Sequence, residues 1–119
     1  MITFNDFQKI EIKVGMILSA EPVQGSEKLL KLSVDFGEPT PRQVVSGIAK
    51  TFKQPEKLIG KQFLFVTNLE PRSIMGLESQ AMILATHKQK KTSLPIGEAS
   101  EEIVLMKPVK KVSNGSKLG

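Results

Sequence analysis

Eight side chains carry most of the chemistry that this 119-residue sequence offers: Lys28, Lys31, Arg42, Ser46, Asn68, Arg72, Ser79 and Met82. They are cations, hydroxyls, one amide and one soft apolar group. Such a set holds an anion and its neighbouring hydroxyls; it does not break bonds. Arginine presents a rigid fork of donors suited to phosphate, whereas lysine is a flexible point charge that adapts to a backbone without reading sequence. Ser46 can hydrogen-bond a phosphate or ribose oxygen, and Asn68 can donate and accept at once, which suits a base edge or a ribose hydroxyl. Each residue also has an ordinary structural role. Arg42 can form a surface ion pair, Lys28 and Lys31 can stand solvated, Asn68 can tie down a loop, Ser79 can close it, and Met82 can pack in a core.

Other chemistries find no residues. His87 is the single histidine and has no acid or nucleophile spaced to serve it. Glu101 and Glu102 are adjacent, so in a strand their side chains diverge and general acid–base work is unsupported. There is no cysteine, no Gly-x-x-x-x-Gly-Lys phosphate loop and no His-x-x-x-His spacing for a metal. The expectation is a non-enzymatic protein with no cofactor and no metal.

The elements that must position these residues read mainly as strands. Thr3 followed by Asp6 has the form of a capping box, so a short helix over 4–9 is expected, with Phe4 and Phe7 on one face to seal a barrel end or a subunit interface. Apolar and polar residues alternate over 10–16 and through all seven positions of 30–36. Arg42 to Ile48 is a third strand, and alternation places Arg42, Val44 and Ser46 on one face. Pro55 to Ile59 reads as one helical turn opened by proline and stopped by Gly60. Gln62 to Leu69 is a fourth strand, apolar on both faces and so covered on both. Strands at 81–86 and 103–106 complete the pattern. Asn68 and Arg72 then bracket the loop between the fourth and fifth strands.

Short strands, turn residues between them and one helical turn between the third and fourth suggest an all-β, five-stranded OB-fold Greek-key barrel with short helices, whose usual ligands are oligonucleotides. One domain spans 1–119, with the barrel over about 10–86 and a C-terminal extension over about 87–119. No window holds the roughly 20 apolar residues that cross a bilayer, and the N-terminus lacks the form of a signal peptide, so a cytoplasmic protein is expected. The net charge is +5. Residues 1–85 carry 10 basic and 9 acidic residues, while 86–119 carry 7 and 3, so most of the excess lies in the lysine-rich end. Charge therefore permits a polyanionic partner without requiring one. There are six Phe and no Tyr or Trp, which favours recognition of a folded RNA's shape over stacking on extended single strands.

Several segments together resemble a known family. They are Asp6-Phe7-x-Lys9-Ile10-Glu11-Ile12-x-Val14-Gly15, Gly25-Ser26-Glu27-Lys28-Leu29-Leu30-Lys31-Leu32, Val45-Ser46-Gly47-Ile48-Ala49, Asn68-Leu69-x-Pro71-Arg72 and Met75-Gly76-x-x-Ser79-Gln80-x-Met82. The chain resembles the tRNA-binding OB-fold domain found at the C-terminus of many methionyl-tRNA synthetases and as a free-standing dimeric protein. The resemblance implies tRNA binding through overall shape, a homodimer, a methionyl-tRNA synthetase partner, and tRNA-contact roles for Lys28, Arg42, Ser46, Asn68, Arg72, Ser79 and Met82; Lys31, on the polar face of the second strand, joins them as a candidate by its charge. Similar domains occur in small chaperone-like export proteins, which implies an alternative: binding of unfolded polypeptides. Glu70 and Ser73 stand where the family often has lysine, and Ala81 where it often has glycine.

Overall fold

The computed structural model describes residues 1–89 and 101–119. Helix α1 (Phe4–Gln8) forms as its cap dictates: the Thr3 hydroxyl accepts from the Asp6 amide at 3.1 Å, and the Asp6 carboxylate accepts from the Thr3 amide at 3.3 Å. Yet α1 buries nothing. Phe4 is 71 % exposed and Phe7 41 %.

Strand β1 (Ile12–Pro22) serves two partners. Its first half pairs with β4 (Gln62–Val66) and its second half with β2 (Leu30–Asp35). The strand runs six residues past the alternating stretch that ends at Met16. An irregularity between Ile17 and Ser19 breaks the period-two pattern there, so the second half does not read as the same strand. β2 pairs in turn with β3 (Arg42–Ser46), and β4 with the short β7 (Met82–Ile83). All these pairings are antiparallel, in the order β3-β2-β1-β4-β7.

Hydrogen bonds from Ser79 and Gln80 to β3 nearly close the sheet into a barrel where no ladder does. The Ser79 Oγ accepts from the Val45 amide at 3.0 Å, the Gln80 Oε1 accepts from the Gln43 amide at 2.9 Å, and the Gln80 amide donates to the Gln43 carbonyl at 2.8 Å. The chain is therefore an all-β, OB-like barrel, with one 3₁₀ turn (Pro55–Leu58) between β3 and β4 where the proline predicts it. Ile17, Leu30, Leu32, Val34, Val44 and Phe65 fill the interior, each worth about 1.5–3 kcal/mol relative to exposure. Phe36 meets Phe65 edge to face at 5.1 Å.

The 68–79 segment, which reads as a loop, is in fact a hairpin: β5 (Arg72–Ile74) against β6 (Leu77–Ser79). Met75 and Gly76 make its two-residue turn, both with positive φ (49° and 78°), the backbone that a type I′ turn requires. Met-Gly is a weaker signature of that turn than Asn-Gly, which hides the hairpin in the sequence. The hairpin lies over the outer face of the barrel. Its Ile74 and Leu77 pack on Val23, Leu29 and Val45, a second apolar cluster separate from the interior.

The fourth strand ends at Val66, three residues before Leu69, and its interior-facing and outward residues are both largely covered, as its apolar character implies. The expected fifth strand divides at Leu84 into β7 and β8 (Ala85–Gln89). The Leu84 amide donates to Leu64 O while its carbonyl accepts from Met106 N, so the chain changes partners there. β8 pairs with β9 (Glu101–Leu105). The last residues then return along the first half of β1: Val14 N donates to Ser116 O, Gly115 N to Val14 O, and Leu118 N to Ile12 O. That return is tight. A Cβ on Gly37 would lie 2.6 Å from the Asn114 carbonyl oxygen, and one on Gly115 would collide with the Phe36 carbonyl oxygen.

Candidate functional site

The hairpin and the rim of the barrel enclose a shallow cleft of about 100 Å³. Ser46, Arg72, Ser79 and Met82 line it, together with Leu69, Glu70 and Ile74. Four of the eight candidate residues therefore meet in one place. Ser46 arrives at the end of β3, Arg72 at the start of β5, and Met82 on β7, opposite Val66. Arg72 is exposed and makes no ion pair among the described residues, and Met82 is 46 % exposed. Ser79 differs. It is 7 % exposed, and its hydroxyl donates to the Ala81 carbonyl at 3.1 Å while accepting from Val45.

Lys28 stands beside this rim. It precedes by two residues Leu30, the ladder partner of Ser46, and its carbonyl accepts from the Ala49 amide at 3.0 Å, just beyond β3. Its side chain is exposed and without an ion pair among the described residues. Lys31 lies on the outer face of β2, across the ladder from the cleft-lining Val45, and pairs with Glu21 at 2.8 Å.

Arg42 and Asn68 lie elsewhere. Arg42, Val44 and Ser46 do share a face of β3, but Val44 is fully buried, so that face is the barrel interior and the two polar residues sit at its opposite ends. The Arg42 Nε and Nη2 donate to the two oxygens of Glu38 at 2.8 and 2.7 Å. Its Nη1 donates to the carbonyls of Thr67 (2.7 Å) and Gln80 (3.3 Å). Its Cζ lies over the Phe36 ring, 5.4 Å from the centroid. The bidentate hydrogen bonds hold the Glu38 carboxyl below the ordinary glutamate range and push the guanidinium up. Asn68 is also occupied: its Oδ1 accepts from the Glu11 amide at 2.8 Å and its Nδ2 donates to the Lys9 carbonyl at 2.7 Å. Between them, buried Thr67 donates to the Glu11 carboxylate at 2.6 Å, and this bond is the main reason that the Glu11 carboxyl lies low.

Three lining residues, Leu69, Glu70 and Ile74, escape a reading by residue type, because two are apolar and the third is an acid. Only the hairpin shows that they share the cleft. A second and larger groove, of about 590 Å³, runs between the 3₁₀ turn, β9 and residues 107–111; Phe52, Leu58, Phe63 and Leu105 are among its walls.

A family model described as "Putative tRNA binding domain" matches residues 12–117. The chain is 46 % identical over 100 residues to a methionine–tRNA ligase of Methanocella arvoryzae, a match that covers 84 % of this chain and 14 % of that enzyme. Among solved structures it is similar to a MetRS-related protein from Pyrococcus horikoshii, with TM-score 0.82, 33 % identity and coverage of 100 % of this chain and 98 % of that one. It is likewise similar to the chaperone CsaA of Bacillus anthracis, with TM-score 0.78, 28 % identity and coverage of 100 % and 99 %.

Proposed function

This chain belongs to the tRNA-binding domain family, and we propose that it binds tRNA without catalysing a reaction, through shape and backbone contacts. The observation that carries the proposal is the cleft at which Ser46, Arg72 and Met82 converge with Lys28 alongside. Arg72 would pair with a phosphate, and Lys28 with another along the same backbone. Ser46 would bond a phosphate or ribose oxygen, and Met82 would offer an adaptable apolar surface to a sugar or base. Arg42, with four hydrogen bonds to the protein, and Asn68, with two, would support this surface, and Lys31 would lie at its margin. The protein would act in the cytoplasm, free-standing or as an accessory or C-terminal part of methionyl-tRNA synthetase, raising the tRNA concentration near the enzyme.

The proposed assembly is a homodimer. Met1, Ile2, Phe4, Phe7 and Ile10 leave an apolar N-terminal surface exposed, and Val104 and Val109 another near the larger groove. A two-fold dimer would cover part of that surface and join two modest clefts into one extended face. Leu105 is buried in the core, so a charge placed there would unfold the barrel; Phe4 is the better probe of assembly.

The test compares gel shifts of folded tRNA, unfolded tRNA and a single-stranded oligonucleotide across a salt series, with sedimentation of the same samples. Folded tRNA should bind best, with a log–log salt slope of about -3 to -4 if roughly four phosphates are neutralised. The protein should sediment near twice 13.1 kDa. Equal binding of all three RNAs, or affinity indifferent to salt, would count against the reading.

A second reading, capture of unfolded polypeptides, draws on the same exposed apolar N-terminal surface and on the 590 Å³ groove. It requires suppression of aggregation of a test protein, which tRNA would not compete away.

A further inference from the structure

We infer that Arg42 is a positioning residue, which fixes the base of the hairpin that carries Arg72 and does not itself contact the bound anion. The inference rests on the tRNA-binding reading above. The hairpin leaves the barrel after Thr67 and rejoins it at Gln80. One nitrogen, Arg42 Nη1, donates to the carbonyls of both residues, at 2.7 and 3.3 Å. The rest of the guanidinium is fixed from two further sides. Glu38 takes Nε and Nη2 at 2.8 and 2.7 Å, and the guanidinium carbon sits over the ring of Phe36. Phe36 in turn packs on Phe65, which is wholly buried.

Four of the five guanidinium N–H groups are thus engaged, which leaves one for a phosphate. The Glu38 carboxylate alongside would repel that phosphate. Side-chain exposures of 23 % for Arg42 and 30 % for Glu38 fit a pair set into the barrel end, not one raised above it. Arg72 sits on the hairpin itself, across the ladder from Ser79, the residue just before the Gln80 anchor. A small rotation of the hairpin base would therefore swing Arg72 out of register with Ser46, which is held on β3.

Glu38→Gln separates the two roles by sign. If Arg42 were a phosphate ligand, removal of the competing carboxylate would tighten tRNA binding and steepen its salt dependence. As a clamp, Arg42 loses half of its bidentate support, and binding should weaken by about threefold to tenfold with an unchanged salt slope. Arg42→Lys sharpens the contrast, because a lysine could replace a phosphate contact but cannot bridge Glu38, Thr67 and Gln80 together. It should weaken binding at least as much, and its effect should shrink in an Arg72→Ala background, since residues coupled through one element are not additive.

Amide hydrogen exchange of the full chain without RNA supplies an independent arm. The amides of 72–80 should exchange faster in both variants while those of β2 stay protected. Tighter tRNA binding by Glu38→Gln, or wild-type affinity in both folded variants, would overturn the inference. So would unchanged exchange in the hairpin. Failure of the wild-type protein to bind tRNA would instead remove the reading beneath it, and the exchange arm would still decide whether Arg42 holds the hairpin. Should Arg42→Lys not fold, Glu38→Gln decides alone.

Discussion

An arginine stands near each end of β3, in opposite conditions. At one end Arg42 makes four hydrogen bonds, to Glu38, Thr67 and Gln80, and sets its charge over the Phe36 ring. At the other end, about 13 Å away by strand rise, Ser46 faces a cleft whose cation, Arg72, pairs with no acid among the described residues. A polar side chain at a barrel mouth can serve a partner only if the protein has left its donors unoccupied. On the proposed tRNA-binding reading the Arg42 end serves stability and the Ser46 end contact, although the residue types alone would favour Arg42 as the stronger phosphate ligand.

Substitutions should pull the two ends apart. The largest effect belongs to Arg42→Ala. It removes four hydrogen bonds and leaves the Thr67 and Gln80 carbonyls and the Glu38 carboxylate without their donor. Discounted for partial exposure, the loss of folding stability should be about 2–3 kcal/mol, read from urea unfolding. A loss under about 0.5 kcal/mol would erase the distinction between the ends.

Arg72→Ala should do the reverse. Stability should stay within about 0.5 kcal/mol of wild type, while tRNA affinity falls by roughly 1–2 kcal/mol through a lost charge-assisted contact. Lys88→Ala, on β8 and outside the cleft, serves as the control. If Arg72→Ala lowers the melting temperature but leaves affinity alone, the cleft is the wrong surface.

The smallest effect concerns pH. Glu38 has a folded pKa below its unfolded value, so its contribution is complete above the unfolded value of about 4.3 and is lost as pH falls through the lower, folded one. Glu38→Gln should therefore flatten the stability curve below about pH 5 and leave its slope unchanged at neutral pH, whereas Arg72→Ala should preserve the acid limb. An identical acid limb in wild type and Glu38→Gln would show that the clamp carries little free energy.

Much of the barrel is legible residue by residue. Leu30 to Phe36 alternates because one face is interior, Thr3 and Asp6 cap a helix through local bonds, and Pro55 opens a 3₁₀ turn by its fixed φ. The hairpin at 72–79 was hidden because it is held by packing on Val23, Leu29 and Val45, residues remote in sequence, and turns on Met75-Gly76. The second half of β1 was hidden by the irregularity near Leu18.

For the site, residue types and their spacing supply the inventory: two arginines, the lysines, Ser46, Asn68, Ser79 and Met82, on strands and loops that the period-two pattern locates. Such patterns are local, and hydrophobic alternation depends only on which face is buried. Tertiary structure alone decided which of those groups are occupied. Glu38 lies four residues from Arg42, but Thr67 and Gln80 lie 25 and 38 away, and Asn68 reaches Glu11 and Lys9 across 57 and 59 residues. A hydrogen bond depends on distance and angle in space, and only closure of the barrel brings those donors and acceptors within reach of one another.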